Sequence, residues 1–445
     1  MPAVAPRLSG TESPLMSNQP KHAAHPKVTK VGGAASEHAP RRREASMESP
    51  SPPSSSAGEE TAVHAVGSTT GVHTVGSATG VHQITSSGIG HLGAGAHGRQ
   101  VFAGDELAIV LSHFDVGTIE AIQEFPRGSR KAPKLILRTD TGLYLLKRRA
   151  RGKDDPFKVA FCHSLQMHLA DQQFPLPHLI GTKKDNNSML QWKGATYELF
   201  EYIKGTPYDS SLEATAEAGK SLALFHKLLK DYQSDYDPPQ GSYHASRSVA
   251  LSFKQLPKTL NRVAPERLHR DSQRIGKILQ YLQSTYQDAS KRVTAAGLEE
   301  WPEQIVHSDW HPGNMLYRGS RVVAVIDYDA ARIQQRIIDA SNGALQFSIL
   351  GGGDDASTWP DYLDESRFRR FLRAYDEVPE SVLSHAELEV MPWLMVEALV
   401  AEAVIPIAAS GSFGRMDGID FLKMVARKVK WLRENANNLV AMAAE

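Results

Sequence analysis

The first hundred residues of this chain contain no Phe, Tyr or Trp, although the full 445 residues carry 14, 13 and 6 of them. A stretch without aromatics, rich in Ser, Pro, Gly, Ala and His, cannot bury enough apolar surface to offset the entropy of ordering its backbone. Residues 1–100 are therefore expected to be a disordered low-complexity tail, and about 345 residues remain for a folded body with a proper core. Cysteine is nearly absent as well. Cys162 stands alone, which excludes an internal disulfide and suits a reducing compartment. Charge of one sign is not in excess, since Lys+Arg and Asp+Glu number 50 each. No overall basic field points to nucleic acid or an acidic membrane. The N-terminus has no apolar signal core. The most apolar segment, Trp393 to Ile405, is interrupted by Glu397 and Glu402 and followed by Pro406, so it reads as a core helix and not a membrane span. These absences predict a cytoplasmic protein with no nucleic-acid or membrane partner.

Within the tail a nine-residue period recurs. His64, His73 and His82 each follow a valine, and His91 falls on the same spacing. Regular histidines are compatible with metal binding, but a drifted low-complexity tract is the simpler reading, and Arg41, Arg42 and Arg43 read as a solvated basic run.

The densest chemistry lies at 305–327, Ile-Val-His-Ser-Asp-Trp-His-Pro-Gly-Asn-Met-Leu-Tyr-Arg-Gly-Ser-Arg-Val-Val-Ala-Val-Ile-Asp. Asn314 follows Asp309 by five residues, and Asp327 follows Asn314 by thirteen, at the end of an apolar run. Met315–Tyr317 and Val322–Ile326 read as two strands joined by a turn containing Gly319. A hairpin of that length brings Asn314 and Asp327 together at its open end. An amide oxygen and a carboxylate there suit a hard cation that keeps several waters. One further carboxylate, Asp309, is placed to orient an attacking hydroxyl and take its proton. Together these are the parts needed for phosphoryl transfer from Mg·ATP.

This segment resembles the aminoglycoside phosphotransferase and choline kinase superfamily, which also includes homoserine kinase and methylthioribose kinase types. His307-Ser308-Asp309-Trp310-His311-Pro312-Gly313-Asn314 and Ile326-Asp327-Tyr328 match its catalytic pattern, with Ser308 where the family usually has Gly. The resemblance covers roughly residues 101–445. It implies an α+β, bilobal protein-kinase-like fold. A small antiparallel-sheet N-lobe would occupy 101–204, and a large, mainly helical C-lobe would occupy 205–445. His311, standing where eukaryotic protein kinases carry a lysine, favours a small-molecule substrate.

In the small lobe, Leu107, Val110, Leu111 and Phe114 mark a helix. Thr118–Phe125, Lys134–Arg138 and Leu143–Arg148 read as strands. Lys147, late in the third, is assigned by the resemblance to the α- and β-phosphates of ATP. The loop 126–133 holds a single glycine, Gly128, whose neighbouring amides could cover the phosphates. Asp155-Pro156 signals a helix start, with Phe157, Phe161, Leu165 and Leu169 expected on one face. This is the helix that normally presents a glutamate to the lysine, yet no Glu occurs between Pro156 and Pro177. Cys162, His163 and Gln166 are the substitutes available there. Thr196–Gly205 resembles the last small-lobe strand and the hinge, where backbone groups at Glu201 and Ile203 would bind adenine beside Phe200.

From Leu212 onward the pattern is helical, with an insert helix expected at Ser272–Lys291. His226 and His307 read as structural. Asp339 is expected to cap the following helix, Asp329 to lie near metal or substrate, and Glu397 to lie on a solvated stripe or face a cationic substrate. The implied activity is ATP- and Mg-dependent transfer of the γ-phosphate to the hydroxyl of a small molecule of the aminoglycoside, choline, homoserine or sugar type. The alternatives are a nucleotide-binding pseudokinase, favoured by the missing helix glutamate, and a protein-modifying kinase.

Overall fold

The computed structural model of the chain describes residues 26–28 and 99–445, apart from 127 and 354. The rest of the expected tail, with its histidine repeat and basic run, lies outside the described residues. Inside that tail, Lys27 forms a parallel bridge to Asn187, and Val28 packs on Val159, Ala160 and Met189.

Helix α1 (Gly104–Ser112) opens the small lobe, followed by strands β1 (Ile119–Glu124), β2 (Lys134–Thr139) and β3 (Leu143–Arg148). Helix α2 (Pro156–Asp171) comes next, then β4 (Leu190–Trp192) and β5 (Ala195–Glu201). The five strands form one antiparallel sheet in the order β1-β2-β3-β5-β4. Its buried face takes alternate apolar residues, Leu135, Leu137, Leu146, Tyr197 and Leu199, and α1 closes it with Leu107 and Val110. Asp155 caps α2 by accepting the Phe157 N–H at 3.0 Å, with Pro156 at the first helical position. The expected face of α2 is corrected at one end. Phe157 is 55% exposed, whereas Val159, Ala160, Phe161, Cys162, His163, Leu165, Gln166 and Leu169 are buried.

The large lobe runs α3 (Leu212–Leu229), α4 (Arg247–Val263), α5 (Pro265–Arg270), α6 (Ser272–Ala295), β6 (Glu303–Val306), β7 (Met315–Arg318), β8 (Arg321–Val325) and β9 (Arg332–Gln335). It continues with α7 (Arg336–Ser348), α8 (Glu365–Asp376), α9 (His385–Ser410), the two-residue strands β10 (Ser412–Phe413) and β11 (Met416–Asp417), α10 (Gly418–Glu434) and α11 (Ala436–Ala443). The expected break at Pro406 does not occur, because α9 runs through both Pro392 and Pro406. A proline forfeits one backbone N–H bond, but α9 is held from outside by α4, α6, α7, α10 and α11. It is long and apolar enough to cross a bilayer, yet most of it is buried in this lobe.

Two small ladders carry the 305–327 segment. β6 pairs with β9, and β7 pairs with β8 across the two-residue turn Gly319–Ser320, where Gly319 takes φ +59°. The chain leaving β5 is pinned to this hairpin by reciprocal Thr206–Tyr317 backbone bonds of 2.8 Å.

Candidate active site

The sheet register places one side of the site. Lys147 on β3 stands directly opposite Glu198 on β5, so both side chains leave the same face of the sheet. Lys147 Nζ lies 3.3 Å from Glu198 Oε2 and 3.7 Å from Asp329 Oδ2. Arg149 bridges the same two carboxylates, at 2.8 Å to each. Burial alone would raise the Glu198 carboxyl, but Arg149, Lys147 and His163 outweigh it and hold it well below the ordinary value. Burial likewise works against ionised Asp329, yet Arg149 and Lys147 bring it down to about 2.

Glu198 is the residue that sequence reasoning missed. The partner of Lys147 comes from the neighbouring strand and not from α2. Of the three substitutes on α2, His163 is the one that takes part. Its Nε2 faces Glu198 Oε1 at 2.7 Å and its Nδ1 faces Ser188 Oγ at 2.8 Å. Cys162 Sγ lies 3.4 Å from the Tyr328 carbonyl, and burial pushes its thiol up to about 12. Gln166 bonds the Cys162 carbonyl at 3.0 Å. A signal for Glu198 was present: a glutamate between two apolar residues of a strand is costly to bury unless cations await it. The two arginines beside Lys147 separate by face. Arg148 turns to Glu106, at 2.5 Å, while Arg149 joins the site.

The other side of the site is the loop between β6 and β7. Asp309 is 5% exposed. Asn314 Nδ2 donates to Asp309 Oδ2 at 2.9 Å and to the Asp309 carbonyl at 3.0 Å. Asp309 Oδ1 has no hydrogen-bond partner among the described residues. His311 Nδ1 accepts the Gly313 N–H at 3.0 Å, which sets the ring so that Nε2 faces Asp309 Oδ1 from 3.6 Å. Burial by itself would raise the Asp309 carboxyl, but His311 and Asn314 outweigh it and the group is held below the ordinary aspartate value.

The loop is organised from below by Asp339, which is a correction to its expected role as a cap. It sits in the first turn of α7, accepts the His307 N–H at 2.9 Å and the Ser308 N–H at 3.0 Å, and faces His226 Nε2 at 3.2 Å. Ser308 takes φ +61°, the left-handed conformation for which the family's usual glycine is suited. The His307 ring is fully buried among Phe225, Trp310 and Tyr328.

The hairpin brings Asn314 and Asp327 to its open end, where the Ile326 N–H donates to the Asn314 carbonyl at 2.9 Å. Both Asn314 donors observed are spent on Asp309, so the amide oxygen is the atom left for a ligand. Asp327 is exposed, with φ +66°, and forms no ion pair among the described residues. An amide oxygen beside an open carboxylate fits a hard divalent cation. Asp329 is engaged by Lys147 and Arg149. Glu397, expected on a solvated stripe or facing substrate, is fully buried and does neither. It bonds His244 Nδ1 at 2.8 Å and the Ala245 N–H at 3.0 Å. Glu402, five residues along α9, lies nearer the chemistry. It contacts Gln346, and burial together with the Asp309 charge pushes its carboxyl up to about 7.

At the far end of β5, the Glu201 N–H is taken by the His178 carbonyl at 2.8 Å, and Ile203 lies half-buried just beyond the strand. Phe200 meets the His163 ring edge-on. Gly128 lies in the loop over the N-terminal end of β2, with φ +81°. Asn314 is thus in direct contact with Asp309, Lys147 is tied to Asp329 two residues beyond Asp327, and Gly128 lies against Lys134, with Glu201 at the end of β5 and Ile203 just beyond it.

A five-stranded antiparallel lobe joined to a helical lobe, with this loop between them, defines a protein-kinase-like phosphotransferase. The phosphotransferase enzyme family matches residues 122–383, and the chain belongs to it. Among curated relatives, homoserine kinase of Methylocella silvestris is 25% identical over 224 residues, covering 50% of this chain and 63% of that protein. Homoserine kinase of Bradyrhizobium diazoefficiens is 24% identical over 343 residues, covering 76% and 88%. The chain thus spans less than two thirds of the first of these relatives. Among solved structures, an aminoglycoside phosphotransferase from Alicyclobacillus acidocaldarius superposes with a TM-score of 0.54 at 16% identity, covering 79% of this chain and 99% of that one. An amicoumacin kinase in complex with AMP-PNP and Ca2+ gives 0.53 at 13% identity, covering 75% and 94%. At these identities the superpositions speak for the fold.

Proposed function

We propose that this chain is an ATP- and Mg-dependent kinase that phosphorylates the hydroxyl of a small molecule, with homoserine the first candidate. The single observation that carries the reading is Asp309, a buried carboxylate with one oxygen fixed by Asn314 and the other left without a hydrogen-bond partner. That oxygen, buried and faced by His311 Nε2 from 3.6 Å, keeps its acceptor capacity for an incoming hydroxyl. In the proposed reaction the substrate oxygen attacks the γ-phosphorus as the bond to the β-phosphate oxygen breaks. ADP leaves, and the hydroxyl proton passes to Asp309 Oδ1. Asn314 Oδ1 and Asp327 would hold magnesium, which when bound neutralises charge on the phosphates. Lys147, kept cationic and in place by Glu198 and Asp329, would bind the α- and β-phosphates. Glu201 and Ile203 would present backbone groups to adenine. Catalysis would then rest on positioning and charge stabilisation.

Homoserine is put first because the curated relatives carry that activity in their names. The pseudokinase alternative drew its support from the helix that lacks a glutamate, and Glu198 beside Lys147 removes that support. The test is incubation of the protein with MgATP and, in turn, homoserine, choline, aminoglycosides and sugars, with phosphorylated products identified by mass. A phosphomonoester of one acceptor is expected. ATP binding without any phosphorylated product across the panel would favour the pseudokinase.

A further inference from the structure

We propose that Lys134 is a second cation for the nucleotide's phosphates, doing part of what a glycine-rich loop does elsewhere with backbone amides. This rests on the nucleotide reading of the cleft given above.

Lys134 opens β2 and stands directly opposite Lys147, which in turn stands opposite Glu198. The three side chains therefore form one row, Lys-Lys-Glu, on the same face of the sheet. Like charges directly opposite one another in a sheet are destabilising, so this pair calls for a compensating anion. Among the described residues, an ion-paired anion is supplied to Lys147 and not to Lys134. Glu198 and Asp329 are shared by Lys147 and Arg149, and Lys134 forms no ion pair among the described residues.

Nor does Lys134 escape into solvent. Its side chain is half-buried, and its ammonium lies 6.0 Å from the centre of the Phe125 ring. The loop that follows β1 comes down over it. At Gly128, whose φ is +81°, an added Cβ would stand 2.8 Å from Lys134 Nζ. Arg99 ties this loop down from outside, bonding the Pro126 carbonyl at 2.6 Å and the Ser129 carbonyl at 3.2 Å. Burial and the neighbouring Lys147 lower the Lys134 ammonium, while Asp327, Asp329 and Glu198 partly restore it. An unpaired lysine held opposite another lysine, under a loop and within reach of the Asp327 charge, has the chemistry of a polyphosphate ligand. It also accounts for how a loop with a single glycine serves a nucleotide.

The test compares MgATP and AMP binding to wild type, Lys134→Met and Lys134→Arg by titration calorimetry, with melting temperatures of the free proteins. Lys134→Met should weaken MgATP by roughly ten- to a hundredfold, the loss expected for one charge-assisted bond. AMP, which lacks the β- and γ-phosphates, should bind unchanged. The free Lys134→Met protein should melt no lower than wild type, since a like-charge pair has been removed. Lys134→Arg should retain most of the MgATP affinity. Equal MgATP affinity in wild type and Lys134→Met would overturn the role of Lys134 while leaving the nucleotide reading intact. A wild type that binds no MgATP would overturn both. A Lys134→Met protein that melts well below wild type and loses AMP equally would make the residue structural and also overturn the proposal.

Discussion

Glu198 is held by four neighbours at once: Lys147, Arg149 and His163 around the carboxylate, and the β3 backbone across the ladder. Removing one member of a buried charge group leaves the others uncompensated. Glu198→Gln should therefore cost roughly 3 kcal/mol in urea unfolding and weaken MgATP through the loosened Lys147. An unchanged unfolding midpoint would show that the cations find other partners. Acid should act through the same groups. Carboxylates lowered on folding contribute stability that is fully present above their unfolded values and is lost as pH falls through the folded ones. For Asp329 the window runs from about 4 down to about 2. Glu402 has the opposite sign. Its carboxyl is raised to about 7, so the folded state holds an extra proton between its ordinary value near 4.5 and 7. Stability from this group is present in acid and fades as pH climbs through that window. Wild type minus Glu402→Gln, measured by denaturant unfolding from pH 4.5 to 8, should show a falling difference. A flat difference would contradict the burial assigned to Glu402.

Among the elements, the β7–β8 hairpin was the most legible part of the sequence. Its information is local: turn residues between two apolar runs fix the register, and the register delivers Asn314 and Asp327 to the same end. Lys147 was legible as a strand-end lysine, but its partner was not. That partner depends on β3 lying beside β5, a pairing of Lys147 with Glu198, 51 residues on, that no local pattern encodes. For the same reason β4 went unread, being three residues long, and α9 was cut short, since surrounding helices hold it straight through two prolines. Asp339 shows how a residue with an ordinary local reading, a carboxylate in a first helical turn, can be claimed by a distant loop. Asp339→Ala would leave the His307 and Ser308 N–H groups buried without acceptors. Each such group costs about 1–3 kcal/mol, so a total loss on the order of 3 kcal/mol is expected. Turnover should fall as well, although Asp339 touches no substrate. A stable variant with wild-type turnover would place the organisation of the loop elsewhere.

At the scale of the whole molecule, the small lobe meets the large one through the Asp329 pairs with Lys147 and Arg149, the Val325 N–H on the Pro175 carbonyl, and α2, whose Phe161, Leu165 and Leu169 sit in the large-lobe core. A short piece of the N-terminal stretch also belongs to the folded body. The Ser188 N–H donates to the Lys27 carbonyl at 3.0 Å, and Val28 covers an apolar patch at the start of α2. Val28→Asp should lower stability by about 1–2 kcal/mol, the order of burying a charge in place of one aliphatic side chain. An unaltered melting temperature would mean that the strand contributes nothing in solution.

Asp309 is the group proposed to receive the substrate proton. Asp309→Asn keeps size and the contact with Asn314 but removes the charge and the basic oxygen. Single-turnover transfer of the γ-phosphate to the identified acceptor, with MgATP affinity measured alongside, is the direct test. The expected result is a fall in the transfer rate of roughly 10²–10⁴-fold with MgATP affinity hardly changed. A variant that transfers phosphate at the wild-type rate would contradict it.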